Sequence, residues 1–240
     1  MKNNTIYLIP TGGLGNRIRF LGSIFAQSGI KDKNIVVINF VTNMFPAKLD
    51  EVFDIELENC SIINIRVPSE KLVILLLRLF CCLSLLTFRK VAKYATRKYS
   101  KRNIVLAGHN RMTGYKIKFI NPKRRSGACI KMEHYNSVHI RRSDNKRAIE
   151  NNSLETFYEF IKQSNLPVFL ATDDQNLKLK ISQLYPIKVF TLDTNLSRAS
   201  KQNLIDAVDE IHLLSQSVLF LGSTGSSFST LVYEIRGDYE

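Results

Sequence analysis

Between Lys71 and Met132 the 240-residue chain contains no aspartate or glutamate, although 16 lysines and arginines fall there. The chain as a whole has 34 basic and 21 acidic side chains, which leaves 18 basic and 21 acidic residues elsewhere. The entire positive excess therefore sits in one quarter of the sequence. Such a belt points to an anionic partner: lipid headgroups, nucleic acid or an anionic glycan. Cysteine is sparse too. Cys60, Cys81, Cys82 and Cys129 form no Cys-x-x-Cys pair. That argues against a disulfide framework and for reduced thiols. No signal peptide precedes the first apolar run, so a cytoplasmic location is expected. No His/Cys cluster has the spacing of a metal site.

A long apolar run is also missing. Residues 72–88 hold 14 apolar side chains in 17, interrupted by Arg78, Ser84 and Thr87. A spanning helix needs roughly 20. Arg89, Lys93, Arg97 and Lys101 then recur every fourth residue, as on one face of a helix. Docking at an anionic membrane surface is the leading reading of this segment. A buried core helix and a true span stay open beside it. Nucleic acid fits less well, because only Tyr94, Tyr99 and Tyr115 are placed to offer bases a stacking surface among these charges.

What is present reads as a globular α/β chain, 45% hydrophobic. In the C-terminal half, strands at 138–141, 168–171, 189–192 and 218–221 alternate with helices at 154–162, 176–184, 202–215 and 228–235. Strands alternating with helices imply βαβ units and parallel sheets. The N-terminal half opens in the same way, with strands at 6–9, 35–40 and 62–67. A boundary near 122–136 divides the chain into residues 1–133 and 134–240.

Two short motifs stand out. His139-Ile140-Arg141-Arg142-Ser143-Asp144 follows an apolar strand and puts arginines beyond its C-terminal end. Ligands of open α/β sheets bind at that edge. A guanidinium matches phosphate oxygens two at a time, so the cluster reads as a diphosphate clamp. A solvated strand end is the equal alternative on these six residues alone. Near the N-terminus, Thr11-Gly12-Gly13-Leu14-Gly15-Asn16-Arg17 lies between a strand and a helix expected over 18–28. A glycine turn there suits close approach to a ligand. It is no dinucleotide fingerprint, because Ile18 stands where a third small residue belongs. It is no P-loop either, since no Gly-Lys-Ser/Thr follows.

Together these motifs resemble the fucosyltransferase-like glycosyltransferases: bacterial enzymes opening with GGLGN, α1,6-fucosyltransferases and protein O-fucosyltransferases. Residues 169–174, Phe-Leu-Ala-Thr-Asp-Asp, and residues 222–229, Gly-Ser-Thr-Gly-Ser-Ser-Phe-Ser, extend the likeness. All four stand in the family's order. Residues 30–130 carry no family signal. The chain also stops soon after its last expected helix, where many relatives continue, so a minimal or truncated member is expected.

The resemblance implies a GT-B-like fold, with two Rossmann-like halves whose parallel sheets face a cleft. The first half would serve acceptor and membrane, and the second the nucleotide sugar. It implies inverting, metal-independent transfer of fucose from GDP-fucose to a glycan, lipid-linked in one reading, in surface polysaccharide biosynthesis. No cofactor is expected. The chain has no Asp-x-Asp pair to hold a metal, so arginine must supply the counter-charge. Arg141 is the expected catalytic cation on the β-phosphate, with Arg142 facing away. His139 is expected at the diphosphate, and Asp173 at the nucleoside with Asp174 as a helix cap. Ser226 and Ser227 are expected at phosphate, and Gly13, Gly15, Asn16 and Arg17 at substrate. Glu150 is the expected general base, with Asp144 as the alternative. Another nucleotide-sugar donor, or an inert sugar-nucleotide-binding scaffold, remains a rival, as does a nucleic-acid-binding protein.

Overall fold

The computed structural model describes residues 5–27, 29–84, 104–108, 115–123, 132–194 and 200–238. Arg89, Lys93, Arg97 and Lys101, the residues of the expected basic face, lie outside these. The chain divides into two compact units. One comprises Met1–Asn121 with Arg198–Leu204, and the other Pro122–Ser197 with Ile205–Glu240. The division at residue 121 precedes the expected 133/134 boundary, and a short later segment returns to the first unit.

The first unit is built on a four-stranded parallel sheet ordered β4-β2-β1-β5. Its strands are β1 (Thr5–Pro10), β2 (Asn34–Val41), β4 (Cys60–Arg66) and β5 (Ile104–Gly108). A small pair, β3 (Phe53–Ile55) with β6 (Ile120–Pro122), stands apart. Alternation in β2 buries Ile35, Val37 and Asn39 on one face. Helix α1 (Leu14–Phe25) covers the sheet with Ile18, Leu21, Ile24 and Phe25, all at most 2% exposed. This helix starts four residues before the expected 18, at the second residue after Gly12. Of the three glycines in the turn only Gly12 takes the left-handed conformation, φ +84°, and Gly13 is already extended as the N-cap. Gly15, Asn16 and Arg17 are thus helical. A one-turn helix, α2 (Leu49–Val52), follows β2.

Helix α3 (Glu70–Ser84) takes up most of the apolar run. Val73 is buried, whereas Leu72, Leu75 and Leu76 are 38%, 52% and 51% exposed. Positions i, i+3 and i+4 share a helix face, so these leucines form an outward apolar stripe. Among the described residues no helix is long and apolar enough to cross a membrane.

The second unit carries a parallel sheet ordered β10-β7-β8-β9. Its strands are β7 (Asn136–Ile140), β8 (Val168–Thr172), β9 (Val189–Phe190) and β10 (Phe220–Gly222). Every residue of β7 and β8 is buried, as befits central strands of a sheet covered on both faces. Val138, Ile140, Val168 and Leu170 pack with Phe157, Ile161, Leu177 and Ile181 from α5 (Leu154–Gln163) and α6 (Gln175–Leu184). Ser153 caps α5 and Asp174 caps α6, the latter accepting the Leu177 N–H at 3.0 Å. Helix α7 (Lys201–Gln216), which belongs to this unit from Ile205 on, and α8 (Ser227–Arg236) complete the order, and Gly237, φ +80°, ends α8. Between the arginine motif and α5 lies a further short helix, α4 (Lys146–Glu150).

Candidate active site

In the second unit, β7 lies between β8 and β10, with His139 level with both Ala171 and Gly222. The three strands therefore deliver Arg141, Asp173 and Ser223 to one sheet edge. Backbone bonds stitch this edge together. Ser223 Oγ accepts the Arg141 N–H at 3.0 Å, and the Ser223 N–H donates to the His139 carbonyl at 3.0 Å. On the other side Asp173 Oδ1 accepts the Arg142 N–H at 2.6 Å and the Ser143 N–H at 3.3 Å. Asp173 Oδ2 accepts Ser143 Oγ at 2.5 Å.

Arg141 extends between two carboxylates. Its Nη1 lies 2.6 Å from Asp173 Oδ2, and its Nη2 is paired with Asp144 Oδ1. The two partners differ. The Asp173 side chain is 15% exposed and the Asp144 side chain 61%. Asp173 thus holds the arginine motif in place, and its oxygens are engaged inside the unit. Arg142 turns to α4, donating to the carbonyls of Ile149 at 3.2 Å and Asn152 at 2.6 Å. It is a backbone support, as its orientation away from the clamp implied.

His139 is turned inward, 4% exposed. Its Nδ1 lies 2.7 Å from Ser229 Oγ, and its ring packs 4.6 Å from that of Phe228. Burial pushes its pKa down to about 3, with Asp173 opposing and Arg141 adding to the fall. A neutral imidazole thus braces β7 against α8. Ser226 is likewise buried, and its Oγ caps α8 by accepting the Ser229 N–H at 3.5 Å. Half-buried Ser227 begins that helix. An α-helix N-terminus carries partial positive charge, here at the same edge as Arg141.

Two asparagines unmarked by the sequence reading tie α4 to the Ser223–Ser226 loop. Asn145 donates to the Gly225 carbonyl at 3.0 Å. Asn152 donates to the Thr224 carbonyl at 3.0 Å and accepts the Thr224 N–H at 2.8 Å. Their signal was the Asn before Lys146 and the Asn-Asn-Ser after Glu150, ordinary helix punctuation. Glu150 is exposed at the end of α4.

Beyond β8 and β9 lies a second polar cluster. Glu210 of α7 accepts Thr194 Oγ1 at 3.1 Å. Lys178 Nζ donates to the Leu192 carbonyl at 2.7 Å and to Thr194 at 3.2 Å. Burial raises Glu210 to about 7 and lowers Lys178, each moderated by the other's charge. Among the described residues no three His, Cys, Asp or Glu side chains group as metal ligands.

In the first unit the glycine turn follows β1. Arg17 is fully buried. Its Nε donates to the Gly12 carbonyl at 2.7 Å, and its Nη1 donates to Asn39 Oδ1 at 2.8 Å and the Phe40 carbonyl at 2.7 Å. Its Nη2 pairs with Glu70 Oε2 at 2.7 Å. The guanidinium also lies 4.7 Å from the Phe45 ring centre. The structure places Arg17 beneath the turn as its scaffold, turned away from solvent. Gly15 is buried and Asn16 half-buried in the first turn of α1. At Gly13 an added Cβ would meet nothing within 4 Å, so open space lies over that residue.

No known family profile matches the chain, and no curated protein does. Solved structures do. The fucosyltransferase NodZ from Bradyrhizobium superposes with a TM-score of 0.63 at 15% identity, over 97% of this chain and 92% of that one. NodZ has also been solved with GDP and after soaking with GDP-fucose. POFUT1 in complex with GDP-fucose gives 0.57 at 14% identity, over 98% and 95% of the two chains. A variant of Arabidopsis thaliana FUT1 in complex with GDP gives 0.60 at 11%, over 98% and 69%. At these identities the likeness is one of fold, and the α/β, GT-B-like class with two parallel-sheet, Rossmann-like halves is the fold of this chain.

Proposed function

We propose that this protein is an inverting, metal-independent glycosyltransferase that moves fucose from GDP-fucose to a glycan acceptor in surface polysaccharide biosynthesis. The observation that carries the reading is Arg141, held by Asp173 at the sheet edge where α8 also begins. Its likeness in fold to proteins solved with GDP or GDP-fucose supports the choice of donor.

The reaction asks three things of the chain. An acceptor oxygen attacks the anomeric carbon on the face opposite the leaving group, and the bond from that carbon to the diphosphate breaks. Negative charge then grows on the departing phosphate. Arg141 Nη2 meets it by releasing Asp144, the more exposed of its two partners. The α8 N-terminus adds positive potential at the same edge. Finally, a carboxylate takes the acceptor proton. Glu150 is the first assignment and Asp144 the second. His139, neutral and turned inward, positions β7 and moves no proton.

The outward stripe of Leu72, Leu75 and Leu76, set within the basic belt of residues 71–132, supports work at the cytoplasmic face of a membrane on a lipid-linked acceptor. A thermal-shift comparison tests the donor. GDP should stabilise the protein more than UDP, ADP or CMP with no metal added, by roughly 2.7 kcal/mol at a hundred times its dissociation constant. A larger shift from UDP with manganese would sink both the guanine and the metal-free parts of the reading. Release of fucose onto an acceptor separates an enzyme from an inert binding scaffold.

A further inference from the structure

We propose that Glu70, the first residue of α3, is a positioning residue that sets the glycine turn for the acceptor. The inference rests on the glycosyltransferase reading and deepens it, because the turn is treated as part of the substrate site.

Glu70 is 7% exposed in the first turn of α3. Its carboxylate gathers three donors from distant segments. Oε1 accepts the Gly12 N–H at 2.6 Å. Oε2 accepts Arg17 Nη2 at 2.7 Å and Thr42 Oγ1 at 2.9 Å. The Glu70 N–H in turn donates to Asn43 Oδ1 at 3.2 Å, which fixes the helix start. Gly12 is therefore held at both polar ends, its N–H by Glu70 and its carbonyl by Arg17 Nε. These bonds hold the peptide in its left-handed conformation. They also spend the backbone groups of Gly12 on the interior. What faces outward is Gly13, with open space over it. The turn thus has an anchored residue and an open one side by side.

A charged pair is a costly way to obtain stability alone. Replacing buried ion pairs with packed apolar groups is often neutral or favourable, whereas breaking one leaves a bare buried charge. What the Arg17–Glu70 pair supplies is direction: one bond to the Gly12 N–H and one to its carbonyl orient the peptide planes on either side of that residue. A packed apolar pair could fill the same volume and leave those planes undetermined.

The test uses the full chain in a fucosyl-transfer assay. Glu70→Gln keeps the shape and loses one acceptor for the three donors. It should raise the acceptor KM about tenfold or more, the scale of one charge-assisted hydrogen bond. The GDP thermal shift should be retained, because the Arg141 cluster belongs to the other unit. Thr42→Val loosens the carboxylate without baring a charge, and should raise the acceptor KM by a smaller factor. It keeps the test decisive if Glu70→Gln does not fold. Should either folded variant melt lower but keep wild-type kcat and acceptor KM, Glu70 is only structural and the inference is overturned. A wild-type chain that binds no GDP and transfers nothing would instead sink the glycosyltransferase reading, and this inference with it.

Discussion

In the proposed mechanism Asp144 competes with the diphosphate for Arg141, so removing its charge should tighten nucleotide binding. The pair joins residues three apart at the surface, with Asp144 61% exposed. Exposed pairs of this kind contribute about 0.2–1 kcal/mol. Asp144→Asn returns that energy to the incoming phosphate, so the GDP dissociation constant should fall by up to about fivefold. The partner on the other side stays in place, because Asp173 is bound by Arg141 and by three groups of residues 142–143. Isothermal titration calorimetry at low and high salt is the assay. The gain should shrink as salt rises, since screening weakens an exposed pair first. A tenfold loss of GDP affinity would refute the reasoning and make Asp144 an orienting ligand of the arginine. Transfer by the same variant decides the base. If kcat drops about 10²–10⁴-fold while GDP binds tighter, Asp144 takes the acceptor proton. If only Glu150→Gln shows that loss, Glu150 does.

Arg141→Ala should lower transfer about 10²–10³-fold, with little rescue by lysine, which lacks the planar fork. Arg142→Ala should instead lower the melting temperature, because it unties α4 from the motif; steady-state kinetics and melting curves separate the two. Gly12→Ala places a side chain at φ +84° with its Cβ 3.2 Å from Asn16 Nδ2, and should cost about 1–3 kcal/mol in denaturant unfolding. Gly13→Ala should fold like wild type, so any loss of transfer there measures crowding of the substrate. For His139 the folded pKa of about 3 lies below the unfolded value near 6.5, so the unfolded chain binds the extra proton between them. Its contribution is whole above about pH 6.5 and is lost as pH falls toward 3. Unfolding of His139→Asn should therefore depend less steeply on pH in that window. Replacing Arg89, Lys93, Arg97 and Lys101 with glutamine should release the protein from anionic vesicles, at about 1 kcal/mol per charge, in cosedimentation at two salt concentrations. Binding that ignores lipid charge and salt would leave the apolar stripe as the anchor.

The second unit was legible in sequence because its strands and helices alternate cleanly. β7, β8 and their flanking helices fall within a residue or two of the expected positions, and the motif ends on the sheet edge. The split of labour between Asp173 and Asp174 was only half legible. Capping by Asp174 follows from a local rule, while the engagement of Asp173 by the arginine loop depends on two strands lying side by side. In sequence Arg17 and His139 look like ligand groups, because a polar residue beside a motif looks available. Their burial is set by Glu70, Asn39, Phe45, Phe228 and Ser229, all distant in sequence. Glu70 was missed for the same reason. It reads as an ordinary first-turn acid of a helix, and only the fold brings it to Gly12. β5 gave no signal, being five residues whose neighbour, β1, lies about a hundred positions earlier.

That last pairing bears on how the chain assembles. Ile6 pairs with Ile35 on one side and Ile104 on the other. Closing the longer loop costs about 1 kcal/mol more than closing the shorter, by the logarithmic dependence of loop entropy on length. β1 should therefore find β2 first and wait for β5. During synthesis the wait is literal, since β1 has only one neighbour until residues beyond 108 leave the ribosome. Until then an apolar strand keeps an unpaired edge, and a chaperone or a pause in translation would act on that interval. The second sheet has no comparable delay between β7 and β8, whose paired residues lie about thirty positions apart. Pulse-labelled hydrogen exchange during refolding should accordingly protect β7 and β8 before β5.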